Sequence, residues 1–201
     1  MKVSVIGHSY VKYLENLGPD SWKVRLENVQ GLLEKAEFKF KSFPGKDYQY
    51  VLEHFSELEF LKEENPDIVV VILGGNSIID TNTNADIKVW IREFYGRLRT
   101  LVRPNCRIIS AQIEPRFPAP GNRFGAPDPE KFKRRRAILN DWVNKSLRKH
   151  GIIDNIILIA GREYFDHPSH FVDGVHLKQR SLLELQRLIL GTIEYGNGVR
   201  K

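Results

Sequence analysis

The sequence predicts an α/β fold, with a largely parallel sheet covered by helices. Three observations carry this reading. Five short runs rich in aliphatic and β-branched residues recur along the chain. Stretches with helical spacing of apolar residues lie between them. The most apolar run, "DIVVVIL" at 67–73, is continuous rather than alternating, as expected of a strand buried on both faces. Strand–helix alternation of this kind builds a layered domain with right-handed crossovers.

Taken in order, "KVSVI" reads as the first strand, and "AEFKFKSF" as a second that alternates through Phe38 and Phe40 toward Phe43. The run at 67–73 is the third strand. "CRIISAQI" (106–113) and "NIILIA" (155–160) supply two more. Helices are expected at 9–17, 46–63, 84–102, 130–149 and 177–195. Within 84–102, Ile87, Ile91, Phe94, Leu98 and Leu101 recur every three or four residues and make one apolar face. Leu182, Leu185, Ile189 and Ile193 repeat the pattern in the last helix. No internal repeat or linker divides the chain, so 201 residues are expected to form one domain, 1–201. The long Pro- and Gly-rich stretch "EPRFPAPGNRFGAPD" (114–128) is of the length that compact domains keep for function.

Composition narrows the classes. With 41% hydrophobic and 28% charged residues, the chain is neither disordered nor fibrous. No apolar run approaches the ~20 residues of a membrane span. Met1 and Lys2 lead straight into a strand, with no room for a signal peptide, and Cys106 is the lone cysteine. An intracellular, cytoplasmic location is the expectation. The net charge of +6 gathers partly in one helix, where Lys131, Lys133, Arg134, Arg135 and Arg136 cluster. Such a run suits weak phosphate binding to nucleic acid. A solvated helix face is the preferred reading, because no nucleic-acid motif accompanies the run.

Sites in open parallel sheets form beyond the carboxyl ends of the strands. The first strand ends at "GHSY", which places Ser9. The second ends at "FPGKDY", which places Gly45. The third ends at "LGGNSI", which places Asn76. The loop before the last helix, "FVDGVHL", places Asp173 and His176. A serine nucleophile needs a base, and the base needs a partner that fixes its tautomer. His176 and Asp173, three residues apart, fit those two roles. The N–H groups of Ser9 and Gly45 and the amide of Asn76 could serve an oxyanion. If Ser9 begins a helix, the helix dipole would favour negative charge there.

Each residue also has a plainer reading. Ser9 suits a helix cap, Gly45 a turn after Pro44, and Asn76 a turn. Asp173 suits a cap of the last helix, and His176 the edge of the core. His167, His170, Asp173 and His176 recur every three residues as zinc ligands might, but Pro168 and Gly174 interrupt a helix that would align them. Val11 stands where an α/β-hydrolase elbow needs glycine. Cys106, at the start of a buried strand, is at the wrong edge for a nucleophile.

Together, the blocks Gly7-His8-Ser9, Gly45, Gly74-Gly75-Asn76 and Asp173-Gly174-Val175-His176 resemble the SGNH (GDSL-type) esterase superfamily. The resemblance spans Gly7 to His176. It implies a single flavodoxin-like three-layer sandwich of about five parallel strands. It also implies Ser9 as nucleophile, Asp173 and His176 as triad partners, and Ser9, Gly45 and Asn76 as oxyanion donors. The implied substrate is an acyl ester, and no metal or organic cofactor is required. The lack of a long apolar lid favours a small-molecule ester with a short acyl chain such as acetyl, and Arg116 and Arg123 suit an anionic or carbohydrate-linked one. Two blocks depart from the family pattern. His8 replaces the usual Asp, which helps order the site, and Ser77 replaces another Asp. The Gly-His-Ser block with "GGN" is more loosely similar to esterase-like domains of animal retroelement-derived proteins. Arg116, Phe117, Arg123 and Phe124 are expected to border the pocket. The alternative function is a catalytically weak module of this fold that binds nucleic acid or protein.

Overall fold

The computed structural model describes residues 1–27, 33–117, 128–159, 162, 165 and 167–195. In chain order the strands are β1 (Lys2–Gly7), β2 (Arg25–Glu27), β3 (Leu33–Lys35), β4 (Glu37–Ser42), β5 (Ile68–Ile72), β6 (Arg107–Ala111) and β7 (Asn155–Ile157). Five of them form one sheet in the order β4-β1-β5-β6-β7, and every neighbouring pair is parallel. The expected five-stranded α/β sandwich is therefore present, and its central strand β5 is buried along its whole length.

Pleating divides that strand between two cores. Val69 and Val71 face α2 (Tyr48–Glu53), α3 (Phe60–Glu64) and α4 (Asn84–Leu101), through Val51, Leu61, Ile87, Ile91 and Phe94. Ile68, Val70 and Ile72 face α1 (Ser9–Glu15) and α6 (Gln179–Tyr195), through Val11, Leu14, Leu185 and Ile189. The helix starts follow local chemistry. Thr83 Oγ1 accepts from Asp86 N at 3.2 Å and Asp86 Oδ2 accepts from Thr83 N at 3.0 Å, a reciprocal cap that opens α4.

Four elements differ from the sequence expectation. The helix expected over 46–63 is broken into α2, a 3₁₀ turn (Phe55–Leu58) and α3. Phe55, Leu58 and Leu61 are all buried, and their spacing of three matches a 3₁₀ turn better than a 3.6-residue helix. The last strand stops at Ile157 because its next partner is a side chain, Ile159 N donating to Gln112 Oε1 at 2.9 Å. The antiparallel pair β2–β3 has only three residues a side, too few to show an alternating pattern. The helix expected over 130–149 runs as α5 (Pro129–Trp142) and then opens into a π turn (Val143–Arg148).

The basic run on α5 is not a uniform solvated face. Arg135 is buried, and its guanidinium donates to Asn84 Oδ1 (2.8 Å), Ile79 O (2.8 Å) and Asn82 O (2.5 Å), tying α5 to the loop before α4. Lys131 Nζ bonds Asp80 Oδ1 at 2.5 Å. Lys133 and Arg134 are exposed. Among the described residues, no helix is long and apolar enough to cross a membrane.

At Gly7, β1 lies against Ile72 of β5 with no room for a side chain. A Cβ there would lie 1.9 Å from Ile72 O, so any side chain forces the two central strands apart. Gly7→Ala is expected to cost about 3 kcal/mol or more, the upper range for overpacking. A urea midpoint equal to wild type would contradict this close approach.

Candidate active site

The carboxyl end of β1 turns directly into α1. His8 N donates to Ile72 O at 3.0 Å, and His8, not Ser9, is the helix N-cap. Its Nδ1 accepts from Tyr10 N at 3.5 Å, so the ring proton is assigned to Nε2. The plain reading of Ser9 as a cap is thereby corrected. Ser9 is the first helical residue and is partly buried. Tyr13 follows it by one turn on the same face of α1, and the Tyr13 ring lies edge-on to His176, 5.4 Å between centroids. The buried Tyr10 hydroxyl donates to Val175 O on the same loop. A seven-residue helix thus carries Ser9 and two rings that grip the His176 loop.

That loop is closed on itself. Phe171 and Leu177 form an isolated antiparallel bridge, and Val172 N donates to His176 O at 2.7 Å. Within it, Asp173 Oδ1 accepts from Val175 N (3.0 Å) and His176 N (2.8 Å). Asp173 Oδ2 accepts from His176 Nδ1 at 2.7 Å. Asp173 does not cap α6, its plainer reading, because it bonds within its own loop; His176 likewise lies before α6, which begins at Gln179. Burial pulls the Asp173 carboxyl upward, but the His176 N–H and imidazole and the Val175 N–H outweigh it and hold it below its usual range. The imidazole proton is therefore held at Nδ1, and Nε2 keeps its lone pair. Among the described residues, no hydrogen bond joins Ser9 Oγ to His176 Nε2; contacts of this kind commonly tighten only with substrate.

Asn76 is tied to the turn that carries Gly45 by one bond. Asn76 Nδ2 donates to Lys46 O, next to Gly45, at 2.9 Å. Its Oδ1 accepts from Arg116 Nη2, which assigns the amide orientation and leaves one N–H of Nδ2 for another acceptor. Ser77 is fully buried and its Oγ accepts from Tyr48 N at 3.2 Å, anchoring α2 beside the Gly45 turn.

The segment that follows β6 brings two further residues to the rim. Glu114 is only 4% exposed, and its Oε2 lies 3.3 Å from His8 Nε2, while its Oε1 is buried without a hydrogen-bond partner among the described residues. Arg116 lies over the Phe132 ring at 5.6 Å. Burial lowers its affinity for its proton, and Tyr10, Glu114 and Asp173 act in the opposite direction. Phe117 N donates to Gly174 O at 2.8 Å, joining this segment to the His176 loop. Sequence reading missed Glu114; its only local mark was an acid ending a buried run, before Pro115. Arg123 and Phe124 lie outside the described residues.

The remaining candidates stand apart. His167 Nδ1 accepts from Ser169 N at 3.2 Å, and His176 is engaged with Asp173. Among the described residues, no three His, Cys, Asp or Glu side chains gather as a metal-binding group. Cys106 is buried before β6, at the opposite rim, and burial pushes its thiol up to about 11.

The fold recurs among solved structures. A GDSL-like lipase from Bacteroides thetaiotaomicron is 17% identical with a TM-score of 0.66, over 96% of this chain and 88% of that one. An acetylxylan esterase from Geobacillus stearothermophilus is 15% identical with a TM-score of 0.63, over 96% and 93%. A Clostridium thermocellum family 3 carbohydrate esterase is 14% identical with a TM-score of 0.65, over 100% and 99%. No curated protein sequence matches this chain. The sequence model of the GDSL-like lipase/acylhydrolase family matches residues 5–180. With that match spanning most of its length and the fold in agreement, the chain belongs to the GDSL-like lipase/acylhydrolase family.

Proposed function

We propose that this protein is a serine esterase that hydrolyses short-chain acyl esters through Ser9, His176 and Asp173. One observation carries the reading. Asp173 holds the His176 imidazole by Nδ1, and the α1 face that bears Ser9 packs its Tyr13 ring against that imidazole.

The chemistry follows from the group roles. His176 Nε2 takes the Ser9 proton as Oγ bonds the ester carbonyl carbon, and the carbonyl electron pair moves to oxygen. The N–H groups of Ser9 and Gly45 and the second Asn76 N–H bond that oxyanion. Collapse expels the alkoxide, which takes the proton from Nε2, and leaves an acyl group on Ser9. Water then repeats the steps and releases the acid. A hydroxyl, a base and amide donors suffice for this reaction, and no metal or organic cofactor is required.

The exposed apolar side chains next to His176 include Tyr13, ring against ring, and Val172, whose N–H bonds His176 O. They suit an acetyl or similarly short chain, and an acetylated carbohydrate is the natural extension given the esterase neighbours. The exposed Lys133 and Arg134 on α5 favour a second reading, weak nucleic-acid binding by a catalytically weak module. A salt-dependent affinity for single-stranded RNA, lost on neutralising both residues, is its test.

A fluorophosphonate probe is expected to label wild-type protein at Ser9, and Ser9→Ala to abolish both labelling and p-nitrophenyl acetate hydrolysis with unchanged circular dichroism. Full activity in Ser9→Ala protein would end the esterase reading. Asn76→Ala is expected to lower kcat by about 10²–10³, as for loss of one oxyanion donor. Asp173→Asn is expected to lower kcat by about 10⁴ through the wrong tautomer.

Asp173 also predicts a pH dependence of stability. Its folded-state pKa lies below the ordinary 3.8, so its contribution is present above that value and is lost as pH falls through the depressed one. The urea midpoint of wild type should exceed that of Asp173→Asn at neutral pH, and the two should converge only below pH 3.8. A gap already closed at pH 5 would contradict the assignment.

A further inference from the structure

Arg116 is half-buried at the site and takes no proton in the proposed reaction. Its Nη2 donates to Asn76 Oδ1. On the other side of the same amide, Nδ2 donates to Lys46 O at 2.9 Å. An asparagine amide has two orientations of similar shape, and only one presents N–H groups toward the Gly45 turn. The guanidinium selects it, because a cation with five donors and no acceptor can bond only the oxygen end.

The surroundings are built around this contact. Gly75 has no side chain, and a Cβ there would lie 3.2 Å from Arg116 Nη2. The Phe132 ring supports the guanidinium from another side. Phe117 N, one residue on, is fixed to Gly174 O at 2.8 Å, which ties the Arg116 segment to the triad loop.

We infer that Arg116 is the positioning residue of the oxyanion hole: bonded to Asn76 Oδ1, it fixes the amide with one N–H aimed at the site and polarises that N–H as a donor. This rests on the esterase reading above. Negative charge on the carbonyl oxygen develops in the transition state, so the effect belongs in kcat and not in KM.

The test uses Arg116→Gln, Arg116→Lys, Asn76→Ala and the Arg116→Gln/Asn76→Ala double variant, with p-nitrophenyl acetate as substrate. Arg116→Gln is expected to lower kcat by at least about tenfold, bounded by the 10²–10³ of losing the whole donor, with KM changed less than twofold. Arg116→Lys, which keeps a cation, is expected to recover part of that loss. In the Asn76→Ala background, Arg116→Gln is expected to add nothing, since the amide it positions is gone. Independently of turnover, the Asn76 side-chain amide NMR signals, identified by their loss in Asn76→Ala, are expected to move in Arg116→Gln. A loss confined to KM, additive effects in the double variant, or unmoved amide signals would overturn the inference. Hydrolysis surviving in Ser9→Ala would instead overturn the esterase reading, while the amide signals would still judge Arg116.

Discussion

The site depends on how closely β1 approaches β5. At Gly7 the two backbones leave no space for even a Cβ, and His8 N still bonds Ile72 O past the end of the strand. The chain is therefore held to the sheet until one residue before Ser9. The parallel order of five strands then gathers their carboxyl ends on one rim, where the dipeptides and turns of distant segments meet. Looser packing at Gly7 would let the start of α1 drift relative to the Asn76 turn that follows β5.

The two departures from the family pattern are both interior solutions. His8 is buried against Glu114, with its ring proton directed at a carboxylate that no other described group bonds. Leaving that carboxylate without His8 would bury a polar group with no partner, which costs more than the bond itself returns. Ser77, where the pattern has an acid, is also fully buried and accepts from the Tyr48 backbone. A hydroxyl serves there with no charge to desolvate. Charge is present instead in the segment after β6, where Glu114 meets His8 and Arg116 meets Asn76.

Much of this was legible in the chain. The unbroken apolar run of β5 marked a strand covered on both faces, and the residues after β1, β4 and β5 marked the rim. Asp173 and His176 were legible because a short Gly-containing turn lets neighbours in sequence be neighbours in space. The long loop at 114–128 marked Arg116 as a pocket border, but neither the contact of Glu114 with His8 nor that of Arg116 with Asn76 was legible. Their contacts reach across 106 and 40 residues, and nothing local in "QIEPRF" distinguishes a buried acid from a loop acid. Arg135 misled for a related reason. Inside a basic run it reads as solvated, yet its partners include the carbonyl oxygens of Ile79 and Asn82, and a backbone acceptor leaves no signature in the side-chain sequence.

Ser9 and His176 lie at opposite ends of the chain, and their relation is set by a very short lever. Ser9, Tyr10 and Tyr13 belong to one helix of seven residues, which moves as a rigid piece. Tyr10 bonds Val175 O and Tyr13 meets the His176 ring, so both neighbours of Ser9 on α1 touch the loop that bears the imidazole. The loop is rigid in turn, with Asp173 bonding the backbone and ring of His176 and with Phe171 and Leu177 bridged. A short helix and a self-bonded loop, joined by two contacts, thus bring segments from opposite ends of the chain to one rim. In the proposed reaction the hydroxyl of Ser9 is the group left to orient, and its χ1 angle has three staggered positions from which to do so.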